Sequence, residues 1–278
     1  MALTGTSRLA GVIGWPVEHS LSPRLHGHWL YRYGIDGAYM ALPVRPEHAA
    51  EVLHTLPRMG FAGTNVTVPH KETALAVVDQ ATDTARRIGA VNTVIVQPDG
   101  SLLGDNTDAF GFLQNLGGWQ GRDQTAVVIG AGGAARAVCV ALLDAGVAAI
   151  RLLNRTRARA DELAAEIEGA ITVEDWDRRG DALADAGLLV NTTSLGMAGQ
   201  PPLQLPLDDL LAAALVTDIV YTPLETPLLA AARARGNAAV DGLGMLLHQA
   251  RPGFAAWFGR EPEVDDELRQ FVLAGLGA

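Results

Sequence analysis

Three ionisable residues stand together where an extended stretch ends: His70, Lys71 and Glu72 close the segment Asn65-Val66-Thr67-Val68-Pro69-His70-Lys71-Glu72. Residues 61–68 alternate and are rich in β-branched types, which predicts a strand, and Pro69 ends its ladder because it has no N–H to give. Ligands of open α/β sheets sit at the carboxyl ends of strands. A lysine there offers positive charge and a proton together, the two things a developing oxyanion needs. His70 titrates near neutrality and is the alternative, but adjacent residues on a forming helix point in different directions, so the two do not share the task. His70 is therefore read as structural and Glu72 as first-turn charge on the helix after Pro69.

Other polar groups gather at comparable places. Asn65 and Thr67, two apart on the predicted strand, share a face close to Lys71. Asn92 ends "IGAVN" in a similar way, and Asp108 follows the polar crossing "GDNTD". In "HSLSP", Ser20 and Ser22 precede a helix predicted to start near Pro23. Two hydroxyls beside a helix N-terminus suit a carboxylate, but they are also ordinary helix caps, and spacing alone favours the cap. Taken singly, each of these residues is ordinary polarity at a loop start.

A second kind of site is legible further on. Apolar "TAVVI" feeds into Gly130-Ala131-Gly132-Gly133-Ala134-Ala135 and then an apolar helix, the strand, glycine turn, helix order that a dinucleotide pyrophosphate needs. Gly130 permits the turn, Gly132 lets backbone N–H groups approach phosphate, and the helix N-terminus supplies positive potential. A lone glycine motif often marks only a tight turn; its setting in a complete βαβ unit raises its weight. The next strand, "AIRLLNRT", ends in Asn154 where an NAD enzyme would hold an acidic residue, followed by Arg155, Arg157 and Arg159. Arginine can grip a 2′-phosphate bidentately, so NADP is favoured over NAD. The competing reading is a helix capped by Thr156 with a solvated basic first turn, but basic residues are poorly placed at that end of a helix dipole.

These residues must be positioned by strands and helices in alternation. Apolar runs near 9–13, 38–43, 61–68 and 91–96 alternate with helical patterns, as do runs near 125–129, 149–153, 187–192, 215–220 and 237–240. That spacing predicts an α/β chain of two domains around mostly parallel sheets, with the boundary in the crossing at 97–108. Residues 243–274 read as two amphipathic helical pieces with no strand to accompany them, placed to fold back on the first domain. With 278 residues, 49% of them hydrophobic, the chain can bury two cores. A net charge of -10 and no basic block argue against nucleic acid or an anionic membrane. The single cysteine, Cys139, lies in an apolar helical pattern and is read as a buried structural thiol. No signal peptide or membrane-spanning run is recognised, so the expected location is the cytoplasm. His26 and His28 are two apart without a carboxylate cluster, so no metal is expected.

The stretches "GWPVEHSLSP", "GFAGTNVTVPHK", "RRIGAVNT", "GDNTD", "GAGGAAR", "NRT", "NTTSLGM", "YTPLETPLL" and "DGLGMLLHQA", in this order over nearly the whole chain, resemble the shikimate dehydrogenase family. The resemblance implies NADP(H)-dependent reversible reduction of 3-dehydroshikimate to shikimate in aromatic amino-acid biosynthesis. It implies a substrate-binding catalytic domain over residues 1–107, completed by C-terminal helices 243–278, and a Rossmann-type NADP-binding domain over 108–242, with a cleft that closes on both ligands. By the same resemblance, Ser20, Ser22 and Tyr221 are carboxylate ligands, Thr67, Asn92 and Gln249 hold substrate hydroxyls, and Lys71 and Asp108 form the catalytic pair. It puts Asp83 near the cofactor, Gly130, Ala131, Gly132, Gly133 and Ala134 on the pyrophosphate, Asn154, Arg155 and Thr156 on the adenosine end, and Ile219 and Gly242 near the nicotinamide. Ala109 is a departure, since the family commonly has Gly after the aspartate. The implied partner is a small-molecule substrate, with neither nucleic acid nor membrane, acting in a monomer or homodimer. A quinate/shikimate or aminoshikimate dehydrogenase is the nearest alternative, marked by an acidic residue at position 154 that this chain lacks. A non-catalytic dinucleotide-binding regulator on the same scaffold is the other, and it would have little reason to keep both Lys71 and Asp108.

Overall fold

The computed structural model of the protein describes residues 3–276. In chain order its main elements are β1 (Arg8–Gly14), α1 (Ser22–Arg32), β2 (Gly37–Pro43), α2 (Ala49–Thr55), β3 (Phe61–Val66), α3 (Lys71–Val77), β4 (Gln80–Ala81), α4 (Asp83–Ile88), β5 (Thr93–Val96) and β6 (Leu102–Asp105). There follow α5 (Asp108–Asn115), β7 (Thr125–Ile129), α6 (Gly133–Asp144), β8 (Ala149–Leu153), α7 (Arg157–Glu166), β9 (Ile171–Glu174) and β10 (Ala186–Asn191). The chain closes with β11 (Leu215–Asp218), α8 (Pro227–Ala234), β12 (Ala238–Val240), α9 (Leu243–Phe258) and α10 (Asp266–Leu273). None of these helices is long and apolar enough to cross a membrane. Two compact units result, Met1–Thr107 with Leu247–Ala278, and Asp108–Leu246.

The first unit carries a six-stranded sheet in the order β2-β1-β3-β5-β6-β4. β2, β1 and β3 run parallel, whereas β5 is antiparallel to both β3 and β6. Five of the six strands therefore run the same way and β5 alone is reversed, so the sheet is mostly parallel, as the spacing predicts, with one antiparallel strand inserted. Residues 97–108, predicted as a crossing, contain a strand: the Asp99-Gly100 turn forms as expected, with Gly100 at φ +85°, and β6 then returns along β5. Four residues with Gly104 among them give too little alternation to read, and that glycine is needed because a Cβ would lie 2.7 Å from Val91 Cγ2. β3 stops at Val66, two residues earlier than the pattern suggests.

One face of this sheet packs Ile13, Phe61, Val66, Val94 and Leu102 against Leu53 of α2, Ala74 of α3 and Ala85 of α4. An aromatic group of Trp29, Tyr39, Phe254 and Trp257 packs around His26. Trp257, fully buried, donates its indole N–H to the Val94 carbonyl at 3.0 Å. It can lie on the sheet only because Gly63 has no side chain; a Cβ there would be 2.1 Å from Trp257 Nε1. Burying an indole of this size stabilises by a few kcal/mol, which fixes α9 on the sheet. Trp29 Nε1–H to the Glu263 carbonyl and an Arg32–Asp265 ion pair at 2.6 Å tie down the segment around α10.

The second unit is a fully parallel sheet in the order β12-β11-β10-β7-β8-β9. Residues 126–129 are completely buried, as expected of a strand covered on both faces. β7 has β8 on one side and β10 on the other, so the chain reverses its winding direction at β7, where the open edge of such sheets binds ligands. Cys139 is buried in α6, and burial pushes its thiol up to about 12, in keeping with a structural role.

Candidate active site

In the first unit the mixed topology collects polar groups along one sheet edge. β1 and β3 end there, and because β5 runs the other way, with Thr93 opposite both Asn65 and Asp105, Asn92 stands at its start on the same edge. Asn92 therefore precedes its strand rather than ending one, and the end of β6 delivers Asp105, Asn106 and Thr107 beside it.

Asn92, buried, is the hub. Its Oδ1 accepts the Thr107 N–H at 2.9 Å, the Thr93 hydroxyl at 2.9 Å and the Thr107 hydroxyl at 3.2 Å. Its Nδ2 donates to Gln249 Oε1 at 3.5 Å, so these two sequence-predicted ligands are brought together. Asn106 Nδ2 donates to the Ala90 carbonyl at 2.9 Å and Thr82 Oγ1 donates to Asp105 Oδ1 at 2.6 Å, which pins the "GDNTD" turn from both sides.

Lys71 is the first residue of α3, half-buried, and its carbonyl accepts the Val91 N–H at 3.0 Å. His70 is buried, with Nε2 donating to the Val44 carbonyl at 2.7 Å, and is structural as its neighbourhood in sequence suggested. Thr67 sits beyond β3, its N–H donating to the Ile13 carbonyl at 2.9 Å, and packs on Gly14, where any Cβ would come within 2.5 Å of Thr67 Cγ2. Asn65, unlike Thr67, lies within β3. It is buried and committed: Oδ1 accepts the Tyr39 hydroxyl at 2.6 Å, and Nδ2 donates to the Asn92 carbonyl at 3.2 Å and to Thr93 Oγ1 at 3.1 Å. Ser20 and Ser22 do not act as the helix cap, because the N-cap of α1 is Leu21 with no side-chain bond. Instead Ser20 Oγ accepts the Ser22 N–H at 3.3 Å, and Ser22 is buried as the first helical residue. Asp83 is exposed in the first turn of α4, which Thr82 caps through the Ala85 N–H at 3.2 Å.

The second unit begins with Asp108, the buried first residue of α5, followed by Ala109, also buried. At the end of β7, Gly130 has φ +114° and a Cβ on it would meet Thr192 Oγ1 at 2.5 Å. This position is glycine for both reasons. Gly132 and Gly133 are different: a Cβ on either meets nothing within 4 Å. The N-terminus of α6 has no side-chain cap, which leaves its first N–H groups available to an anion. Asn154 Nδ2 donates to the Thr156 carbonyl at 2.8 Å and shapes the turn after β8, while Thr156 occupies the N-cap without a side-chain bond. Arg157 is engaged by Asp161 and Asp175. Arg155 and Arg159 are exposed, and neither side chain forms an ion pair among the described residues. A glycine cradle followed by two unengaged guanidinium groups fits a dinucleotide with an extra phosphate.

Ile219 and Gly242 are brought together, for a Cβ at Gly242 would lie 2.2 Å from the Ile219 carbonyl oxygen. The groups that hold this region escaped the sequence reading. Asp218, completely buried, accepts from Asn191 Nδ2 at 3.0 Å, the Val220 N–H at 3.0 Å and the Thr226 hydroxyl at 2.8 Å. Burial raises its carboxyl above the usual range, opposed by these three hydrogen bonds. A single carboxylate inside the apolar run "LVTDIV" was the available signal. Tyr221 follows, and burial raises its phenol, which keeps it a neutral donor.

Family models match three segments: shikimate dehydrogenase substrate binding domain at residues 12–94, shikimate / quinate 5-dehydrogenase at 114–197, and shikimate 5'-dehydrogenase C-terminal domain at 242–266. A shikimate dehydrogenase (NADP(+)) of Rhodospirillum rubrum is 63% identical, over 98% of this chain and 99% of its own. That of Paramagnetospirillum magneticum is 60% identical, over 98% and 100%. Among solved structures, the shikimate 5-dehydrogenase of Thermus thermophilus in complex with NADP(H) and shikimate superposes with a TM-score of 0.86 at 38% identity, covering 96% of this chain and 99% of that one. An N-terminal substrate-binding domain, a Rossmann-type nucleotide-binding domain and near-full-length identity to these enzymes agree, and the chain belongs to the shikimate dehydrogenase family.

Proposed function

We propose that the protein is an NADP-dependent shikimate dehydrogenase, reversibly reducing 3-dehydroshikimate to shikimate on the route to chorismate and the aromatic amino acids, in the cytoplasm, as a monomer or homodimer. The observation that carries this reading is identity of 63% over almost the full length of an enzyme of that name. Ser20, Ser22 and Tyr221 take the substrate carboxylate, and Thr67, Asn92 and Gln249 take the ring hydroxyls. A neutral Tyr221 phenol suits a carboxylate because it donates without adding charge. Gly130 to Ala134 hold the pyrophosphate, Asn154, Arg155 and Thr156 the adenosine end, Ile219 and Gly242 line the nicotinamide position, and Asp83 lies near the cofactor.

When bound, NADPH supplies the hydride that adds to the carbonyl carbon. Lys71 donates a proton from Nζ to the carbonyl oxygen as that oxygen gains negative charge, and takes the proton back in alcohol oxidation. Asp108 is its partner, a carboxylate that orients the ammonium and keeps it charged. His70 takes no part, because its ring is spent on Val44. The test is initial rates with shikimate and quinate against NADP+ and NAD+. Shikimate with NADP+ is expected to be the best pair by a wide margin; a preference for quinate or NAD+ would reassign the substrate or cofactor.

A further inference from the structure

We propose that Tyr39 is a positioning residue of the substrate site, a role that rests on the substrate reading above and that no quoted motif contains. Tyr39 lies in β2, almost wholly buried, with its ring flat on the His26 imidazole at 3.9 Å between centroids and 4° between planes. Its hydroxyl donates to Asn65 Oδ1 at 2.6 Å. A phenol has one proton. That proton is committed to Asn65.

The same reasoning passes along the chain of bonds. Asn65 Oδ1 accepts, so Nδ2 is the donor to Thr93 Oγ1 at 3.1 Å. Thr93 Oγ1 then sends its own proton to Asn92 Oδ1 at 2.9 Å. The Thr107 N–H, which can only donate, reaches the same Oδ1 at 2.9 Å. Asn92 is thereby held with its oxygen inward and its Nδ2 toward Gln249 and the place of the substrate hydroxyl. Every donor points the same way from Tyr39 through Asn65 and Thr93 to Asn92, and Tyr39 is the member that starts the chain and fixes its direction. Removing its oxygen leaves Asn65 without the donor that fixes its amide, in buried surroundings where such a loss is felt.

Tyr39→Phe keeps the stacked ring and removes only that oxygen. In steady-state oxidation of shikimate, the expected result is a KM for shikimate raised roughly fivefold to twentyfold, kcat within about threefold, and an unchanged KM for NADP+. Thr93→Val, which breaks the chain one step on, should raise the same KM to a similar degree and serves if Tyr39→Phe folds poorly. Combined with Asn92→Ala, the Tyr39→Phe effect should shrink at least about threefold, because part of it runs through Asn92. An unchanged shikimate KM in both Tyr39→Phe and Thr93→Val overturns the proposal. So does an equal rise in both KM values, or simple multiplication with Asn92→Ala, either of which would make Tyr39 a packing residue. No turnover of shikimate by the unsubstituted protein would overturn the substrate reading itself, and this role with it.

Discussion

Asn92 Oδ1 accepts the backbone N–H of Thr107 at 2.9 Å, across fifteen residues of chain. The bond makes one side chain responsible for two things. It aims the Asn92 amide, and it fixes the last residue before Asp108, the carboxylate of the proposed pair. Asn92→Ala would leave the Thr107 N–H and the Thr93 hydroxyl unmet in a buried place, at about 1–3 kcal/mol each. The expected outcome is a fall in kcat as well as a rise in shikimate KM, with a lower thermal midpoint. Asn92→Asp keeps the acceptor and should preserve the midpoint better while still raising KM; equal behaviour of the two variants would remove Asn92 from its role as a latch.

Arg155 and Arg159 are exposed after β8, where the proposed function puts the 2′-phosphate. Arg155→Ala should raise the KM for NADPH roughly tenfold and leave any weak reaction with NADH nearly as it was. Equal losses with both cofactors would mean that Arg155 shapes the turn and does not read the phosphate.

Gly130 and Gly132 belong to one motif and should respond differently. Gly130→Ala meets Thr192 Oγ1 and a left-handed backbone, so the protein should lose about 1–3 kcal/mol of stability. Gly132→Ala meets nothing in the protein and should leave the thermal midpoint unchanged while raising the KM for NADPH, since the methyl occupies the proposed pyrophosphate cradle. A destabilised Gly132→Ala with unaltered cofactor KM would contradict that placement.

His26 is fully buried with neither ring nitrogen hydrogen-bonded among the described residues, and burial lowers it from 6.5 to about 3. The unfolded chain binds a proton at this residue below about pH 6.5, and the folded chain does so only near pH 3. Stability from keeping His26 neutral is therefore full above about pH 6.5 and is lost as pH falls toward 3, by about 2 kcal/mol between pH 7 and pH 5. His26→Phe abolishes that dependence, so its stability relative to the unsubstituted protein should rise on acidification. Parallel denaturation midpoints for the two proteins from pH 7 to pH 5 would show that His26 does not carry the effect.

The parts of the molecule that sequence reveals are those where one physical rule acts alone. Alternating or continuous apolar runs locate β1, β2, β7, β8 and β10 to within a residue or so, and "GAGGAAR" marks the turn after β7 because only glycine tolerates that backbone. β6 escaped because "LLGD" is short and broken by a glycine whose purpose, room for Val91, is a tertiary matter. The antiparallel turn of β5 cannot be read from its residues, and so Asn92 was placed at the wrong end of its strand. Asn65 was assigned to the ligand side by period alone, whereas the buried hydroxyl of Tyr39, on another strand, claims its amide. Asp218 is hidden for a similar reason: its Asn191 donor lies 27 residues away on β10, a pairing that only the fold makes.

Lys71 carries the central claim, since it alone at the end of β3 offers both charge and a proton. The direct measurement is shikimate-dependent NADPH formation by the unsubstituted protein and by Lys71→Ala under saturating substrates. Robust turnover that falls roughly 10²–10⁴-fold in the variant, with a smaller change in shikimate KM, is the predicted result. Near-normal kcat in Lys71→Ala, or no NADPH formed from shikimate by the unsubstituted protein, would contradict it.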